Sequence, residues 1–410
     1  MRAPIGSAMA GESFTAEASA IVRSCVHCGF CNATCPTYQL TGDELEGPRG
    51  RIYLIKALLE HGTAGEQTRL HLDQCLLCRN CETTCPSGVA YGRLAEIARP
   101  YVNRTTAMPR SQRLLRFLLS RVLPYRRRFA ALVAAGRLIR PCMPRALARL
   151  IPARPRSPAV VSRQRALPGA RRVILLGGCV QPVLNPAIDA AAIRVFGHLG
   201  IDVQAVAGGG CCGALAHHLG YAGDAVQQAR ANIDAWWPHI EDGVAAVMAT
   251  SSGCGVHLKD YARVLADDPT YAERARTLEA LVRDPVELIA PDAYAGRFDA
   301  AGVGRVAVQT PCTLQHGQRL GGLIEAILGR AGFDVVPIED AHLCCGSAGT
   351  YSLLHAQTAT ALRQRKLDCL LRATPAVVVT ANIGCQMHLA AAAPVPVRHW
   401  LELLADCVGE

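Results

Sequence analysis

The period of the hydrophobic pattern changes twice along the chain. Up to about residue 100 the apolar positions recur at helical spacing. Ile52, Ile55, Leu58 and Leu59 make one face of a helix predicted over 48–60, with Pro48 in its first turn. Short helices are expected over 14–24 and near 67–74, each running into a cysteine-rich loop. Between 101 and 170 the helical spacing persists but arginines interleave. Leu114, Leu115, Leu118, Leu119 and Val122 form an apolar stripe flanked by Arg113, Arg116 and Arg121, and a second helix is expected over 129–139 after the Arg126–Arg128 run. Pro141, Pro144, Pro152, Pro155 and Pro158 then break the pattern into a linker.

From Arg172 the pattern becomes short apolar runs alternating with helices. R-V-I-L-L-G-G-C, a helix over 186–199, G-I-D-V-Q-A-V and V-A-A-V-M-A-T form a first set. R-V-A-V-Q-T-P-C, G-F-D-V-V-P-I and A-V-V-V-T-A-N-I-G-C repeat the order from residue 305. Alternation of this kind implies parallel pairing in an α/β sheet. An offset of 133 residues carries Cys179 onto Cys312 and Cys211 onto Cys344, and brings Cys254 within two residues of Cys385. So long a period indicates two homologous halves rather than a solenoid. The charged segment 260–304 reads as their connection.

Charge sharpens this division. The net charge of +10 is not spread over the chain, because residues 97–188 hold 19 arginines and no Asp, Glu or Lys. One basic segment on an otherwise acidic chain argues for local docking rather than nucleic-acid binding. Its apolar stripe has two readings: a helix lying on an anionic membrane surface, or a connector packed on the next domain with its arginines in solvent. No secretory leader and no run of 18 apolar residues is visible, so neither export nor a transmembrane helix is expected.

Nineteen cysteines then identify the chemistry. Residues 25–36, C-V-H-C-G-F-C-N-A-T-C-P, and 75–86, C-L-L-C-R-N-C-E-T-T-C-P, share the spacing C-x₂-C-x₂-C-x₃-C-P of 4Fe–4S proteins. Zinc seldom uses this triple spacing with a trailing Cys-Pro, and disulfides are not expected of a chain without a secretory leader. In two-cluster ferredoxins the fourth cysteine serves the other cluster. That rule assigns Cys25, Cys28, Cys31 and Cys85 to one cluster, and Cys75, Cys78, Cys81 and Cys35 to the other. His27 and Arg79 lie inside these loops, where they tune a potential or simply face solvent. The fold expected is α+β and multidomain. It comprises a helical two-cluster domain (1–100), a basic helical linker (101–170) and two cysteine-rich halves (171–300 and 301–410).

In the halves, Cys179, Cys211, Cys212 and Cys254 should gather at the carboxyl ends of one sheet, and Cys312, Cys344, Cys345 and Cys385 at those of the other. His257 and His388 follow the last cysteine of each set by three residues, a plausible mixed ligand pair. Cys142, Cys369 and Cys407 stand alone and are read as structural. Gly208–Gly210 lacks the Lys-Ser/Thr of a phosphate loop, and Trp236 and Trp237 are read as packing or docking residues. The chain shows no dinucleotide fingerprint, flavin motif or acid–base constellation, so it is expected to carry electrons and to have no catalytic residues of its own.

These motifs carry a resemblance. The C-x₃₁-C-C-G-x₄₀-C-x-x-H arrangement, with x₃₈ in the second copy, resembles the duplicated CCG domain of heterodisulfide reductases and of iron–sulfur subunits of hydroxy-acid dehydrogenases. Together with G-D-E-L-x-G-P-R-G-R-I-Y-L-I-K, C-T-L-Q-H and H-L-C-C-G-S-A-G-T-Y, the chain resembles the family of glycolate oxidase (glycolate dehydrogenase) iron–sulfur subunits. The resemblance implies a partner subunit with FAD that oxidises glycolate to glyoxylate and a further flavin-type subunit. It also implies a quinone or other respiratory acceptor, and a peripheral place at the cytoplasmic face of the inner membrane. The same role for glycerol-3-phosphate or D-lactate is the near alternative, and a thiol/disulfide enzyme like heterodisulfide reductase the distant one. In those reductases a complete CCG motif ends C-x-x-C and holds a non-cubane cluster. Here both end C-x-x-H, which leaves the two groups as further iron–sulfur or metal sites, or as reduced thiols shaping an acceptor site.

Overall fold

The computed structural model describes residues 5–6, 14–143 and 169–409; most of the expected Pro-rich linker lies outside them. The amino-terminal part is helical. Helix α1 (Thr15–Ser24) leads into the first cysteine loop, and α2 (Pro48–His61) starts on its proline and buries Ile52, Ile55, Leu58 and Leu59 as the periodicity predicts. Helix α3 (Glu66–Asp73) leads into the second loop. Helix α4 (Tyr91–Thr105) closes the bundle and runs through Pro100, past the expected boundary near 100, because Ile97, Ala98, Tyr101 and Val102 are buried on both sides of the proline.

The basic segment forms α5 (Arg110–Val122) and α6 (Arg126–Ile139). The second starts three residues earlier than expected, so the arginine run is its first turn. Helix α5 half-buries Leu119 and Val122 of its stripe and meets the first cysteine-rich half through Arg121 and Asp224, as the connector reading expects, but the rest of the stripe is open. It buries Arg116 and Ser120, while Leu114, Leu115, Phe117 and Leu118 face solvent. The reason is local: Arg116 Nη2 lies 2.7 Å from Asp73 Oδ2, a largely buried ion pair that fixes which side of α5 faces the protein. Among the described residues no helix is long and apolar enough to cross a membrane.

Two four-stranded parallel sheets follow, with the same strand order. In the first, β1 (Arg171–Leu175) lies between β2 (Ile201–Ala205) and β3 (Ala246–Met248), and β4 (Val282–Arg283) adds to β3. In the second, β5 (Arg305–Gln309) lies between β6 (Asp334–Val336) and β7 (Val377–Thr380), with β8 (Val397–His399) outside β7. Every pairing is parallel, as the alternation implies. The segment 260–304 is more than a connection, since it supplies helix Ala272–Leu281 and strand β4.

The halves share one core. Val173, Leu175 and Phe196 from the first pack with Val306, Val308, Ile324 and Trp400 from the second. Helix α7 (Ala187–His198) rests against the last helix, α8 (Trp400–Asp406). Polar pins cross the same seam. Ser252 N donates to Ala381 O at 3.0 Å, His399 Nε2 lies 2.9 Å from Thr250 O, and Gln318 Nε2 donates to Asp284 Oδ2 at 3.1 Å.

Asp284 carries a pH dependence. Burial lifts its carboxyl from 3.8 to about 7, against hydrogen bonds from Val286 N and Gln318 that favour the ionised form. Between about pH 4 and pH 7 the folded chain therefore holds a proton that the unfolded chain has released. Its stabilising contribution is complete below the unfolded value and is lost as pH rises through the folded one. Asp284→Asn removes this dependence. In urea titrations across that range the variant should gain on the wild type with rising pH, by on the order of a few kcal/mol. Parallel curves would show that the carboxyl is ionised throughout.

Candidate metal centres

Two hollows lie side by side in the helical part. One is lined by Cys25, Cys28, Cys31 and Cys85 and encloses ≈ 420 Å³, including the space open at its mouth. The other is lined by Cys35, Cys75, Cys78 and Cys81 and encloses ≈ 320 Å³ on the same measure. Pro48, Tyr91 and Cys81 line both, so a single layer of side chains separates them. Each hollow takes its fourth corner from the loop that frames the other.

The loops have one backbone design. His27 and Leu77, at equivalent positions, have φ of 58° and 54°, and Gly29 and Arg79 have 86° and 59°. Left-handed residues between cysteines turn successive N–H groups inward as an anion-binding nest. Leu77 N indeed lies 3.4 Å from Cys75 Sγ. Glycine takes this conformation freely, whereas His27, Leu77 and Arg79 take it at a cost of about 1–2 kcal/mol each.

The electrostatics ask for a cationic occupant. Burial and the nearby Cys25, Cys85 and Cys28 push the Cys31 thiol up to about 11. Burial also raises Cys78 and Cys81, the latter with help from Cys78, Cys75 and Cys35. Such thiols ionise together only around positive charge, which bound iron supplies. Among the described residues no three His, Cys, Asp or Glu side chains gather tightly enough for a single metal ion. The sulfurs of Cys25, Cys28, Cys31 and Cys85 border one open space and those of Cys35, Cys75, Cys78 and Cys81 another, which suits a cluster with its own sulfides better than a lone zinc.

The second hollow also holds a cation that the motifs do not announce. Arg51 is 1% exposed. Its Nη1 lies 3.1 Å from Thr37 Oγ1 and 4.0 Å from Cys35 Sγ, Nη2 lies 2.6 Å from Glu46, and Nε donates to His71 O. Burial works against its proton, yet Cys75, Tyr91, Cys35 and Glu46 hold it firmly charged. Burial likewise raises Cys75, but Arg51 and Arg99 outweigh it and leave that thiol below its ordinary value. The G-P-R-G-R stretch is the sequence signal for Arg51, which sits one turn after the proline that starts α2. His27 instead borders the first hollow, where burial and then Arg49 keep its ring neutral.

The hollows differ in depth. Val26 and Phe30, on the first loop, are 68% and 62% exposed. The second loop is enclosed by both cysteine-rich halves. Arg79 pairs with Glu96 and Asp260, Asn80 Nδ2 donates to Thr34 O and His342 O, and Tyr351 OH meets Gln74. Leu76 and Cys78 pack in one cluster with Cys312, Cys344 and Tyr351.

Each half brings its four cysteines together at the carboxyl ends of its strands. In the first, Cys179 contacts Cys211, and Cys212 contacts Cys211 and Cys254. In the second, Cys312 and Cys344 sulfurs are 3.9 Å apart, those of Cys345 and Cys385 are 3.2 Å apart, and Cys344 adjoins Cys345. The histidines part company. His257 is buried, its Nε2 has no hydrogen-bond partner, and it fills the place a side chain at Gly213 would need, 3.1 Å away. His388 Nε2 instead lies 3.0 Å from Ala359 O. Lys366, missed in the sequence, is buried beside Cys345 and Cys344 and donates to Ala341 O at 2.9 Å. Cys369 and Cys407 are buried and Cys142 is exposed. Trp236 is fully buried, and Trp237 bonds Glu241 on its own helix.

Residues 21–89 match the family model of the 4Fe-4S dicluster domain, and 173–259 and 306–390 each match that of the cysteine-rich domain. The chain is 47% identical over 397 residues to the glycolate oxidase iron-sulfur subunit of Escherichia coli (strain K12), covering 96% of this chain and 95% of that one. It is 29% identical over 395 residues to the probable glycolate oxidase iron-sulfur subunit of Bacillus subtilis (strain 168), covering 89% and 88%. A lactate utilization protein A from Exiguobacterium sp. (strain ATCC BAA-1283 / AT1b) is 25% identical over 247 residues, 58% of this chain and 98% of that one.

Asn80 is the polar tie between both loops and the second half. Asn80→Ala takes the side-chain donor from Thr34 O and leaves His342 O to His316 alone, and should cost about 1–3 kcal/mol in chemical denaturation. An unchanged midpoint would mean that water replaces the amide.

Proposed function

The chain belongs to the family of glycolate oxidase iron–sulfur subunits, and from that premise we propose that it carries electrons from an FAD subunit oxidising glycolate to glyoxylate towards a respiratory quinone. A further flavin-type subunit completes the complex, which sits peripherally at the cytoplasmic face of the inner membrane. The observation that supports this is the pair of adjoining hollows, each completed by a cysteine from the opposite loop. Cys25, Cys28, Cys31 and Cys85 hold one 4Fe–4S cluster; Cys75, Cys78, Cys81 and Cys35 hold the second. When bound, the two supply one-electron chemistry that divides a flavin's electron pair.

The side chains do the rest. Val26 and Phe30 offer an apolar contact for a donor subunit beside the first hollow. Pro48 and Tyr91 exclude water between the hollows. Arg51 and Arg99 put fixed positive charge at the second, which favours an added electron there. The second cysteine-rich half, through Cys312 and Cys344, lies next along this line. Iron clearly above eight per chain would assign further metal to Cys179, Cys211, Cys212, Cys254 and His257, or to Cys312, Cys344, Cys345, Cys385 and His388. The domain limits proposed are 1–100, 101–170, 171–300 and 301–410, with α4 carrying the first on to Thr105.

Iron and acid-labile sulfide on anaerobically purified protein, with EPR of the reduced state, test this reading. About eight irons per chain are expected from two cubanes, and Cys28→Ser should reduce them to about four. Zinc in place of iron would overturn it. A substrate panel on the co-purified flavoprotein separates glycolate from D-lactate, the alternative that the similarity to lactate utilization protein A favours.

Arg51→Gln should lower the midpoint potential of one EPR signal by roughly 60–120 mV, equivalent to ~1.4–2.8 kcal/mol for one electron. Arg51→Lys should largely restore it. A potential unmoved by the glutamine would place the guanidinium outside the redox centre's field.

A further inference from the structure

Helices α5 and α6 present a surface that the electron-carrying reading does not use. Seven of the fourteen large apolar side chains exposed among the described residues lie between 114 and 139: Leu114, Leu115, Phe117, Leu118, Leu132, Leu138 and Ile139. Leu138 is 81% exposed and Leu114 and Leu132 are each 58% exposed. Helix α5 departs from an ordinary surface helix, because Arg116 faces in while Leu114, Leu115 and Leu118 face out. The exposed face is not an accident of loose packing. The Arg116–Asp73 pair holds the helix from behind, Ser120 is buried on the same side, and Arg121 reaches Asp224 at 3.1 Å. On α6, Phe129 and Val133 anchor the opposite side.

Charge identifies the occupant. Arg110, Arg113, Arg126, Arg127, Arg128 and Arg140 are exposed around the same apolar side chains, and no carboxylate occurs between residues 97 and 188. A protein partner here would have to present a matching acidic face. A surface of leucine, phenylalanine and arginine alone matches acyl chains beneath a plane of phosphates, where each basic group adds about 1 kcal/mol and guanidinium binds phosphate in pairs of hydrogen bonds. Neither helix is long enough to span a bilayer, so both would lie in the plane of its surface.

We propose that α5 and α6 form a docking face for an anionic lipid bilayer, with the leucines sunk to the headgroup–acyl boundary and the arginines on the phosphates. This deepens the peripheral placement given above, and it is tested without redox turnover, so its failure would leave the electron-carrying reading standing. The attachment brings an acceptor dissolved in the membrane within reach of the same chain.

The experiment is co-sedimentation of the purified full-length chain with vesicles of phosphatidylcholine, with and without about one-third phosphatidylglycerol. Binding is expected to the anionic vesicles, at least tenfold weaker to the neutral ones, and weakened by half-molar salt. Leu114→Gln with Leu118→Gln, both at exposed positions and so harmless to folding, should lower affinity at least tenfold. Arg113→Gln with Arg127→Gln should lower it only for anionic vesicles. Equal binding to both vesicles, or retention by the leucine variant, would overturn the proposal. So would protection of residues 110–139 from hydrogen exchange by the flavin subunits alone, which would make this face a subunit interface.

Discussion

The helical part is arranged around one geometric constraint: each cysteine-lined hollow takes a cysteine from the loop that frames its neighbour. Two loops fifty residues apart in sequence can satisfy that only if they face one another at a fixed spacing. Helix α2 sets the spacing. Pro48 at its start lines both hollows, and Arg51 one turn later ties Thr37 behind the first loop to the backbone of His71 before the second. The left-handed residues store strain in the loops, and the nests they form return it as oriented N–H groups around negative sulfur.

The duplicated halves show how one ancestral arrangement can hold two roles. Both gather four cysteines at the carboxyl ends of a four-stranded parallel sheet. Only the second has its group packed against the second cluster loop, through Leu76 and Cys78. In the first, Asp260 and Arg263 reach the loop region by charge, through Arg79 and Glu96, and the cysteines stay behind a buried histidine. The electrostatic surroundings diverge as well, with neutral His257 beside one group and buried Lys366 beside the other.

Local chemistry was legible in the sequence; relations between distant parts were not. Cysteine spacing, the strand–helix alternation and the proline that starts α2 are all properties of short windows, and the structure follows them. Strand β4 escaped because two residues, Val282 and Arg283, give no periodicity. The stripe on α5 was visible as a pattern, but a pattern does not say which face meets the protein. That was decided by Asp73, more than forty residues away. Arg51 and Lys366 were hidden for the same reason, since a charged residue reads as surface until its buried partners are known.

The seam between the halves also fixes an order in time. Helix α7 is made near the middle of synthesis, yet the surface it rests on belongs to the last helix, Trp400–Asp406. The apolar face of α7 therefore stays uncovered while some two hundred residues are still being added. Cys212 and Cys254 need not wait, because they pack in a core drawn wholly from residues 174–282 of the first half.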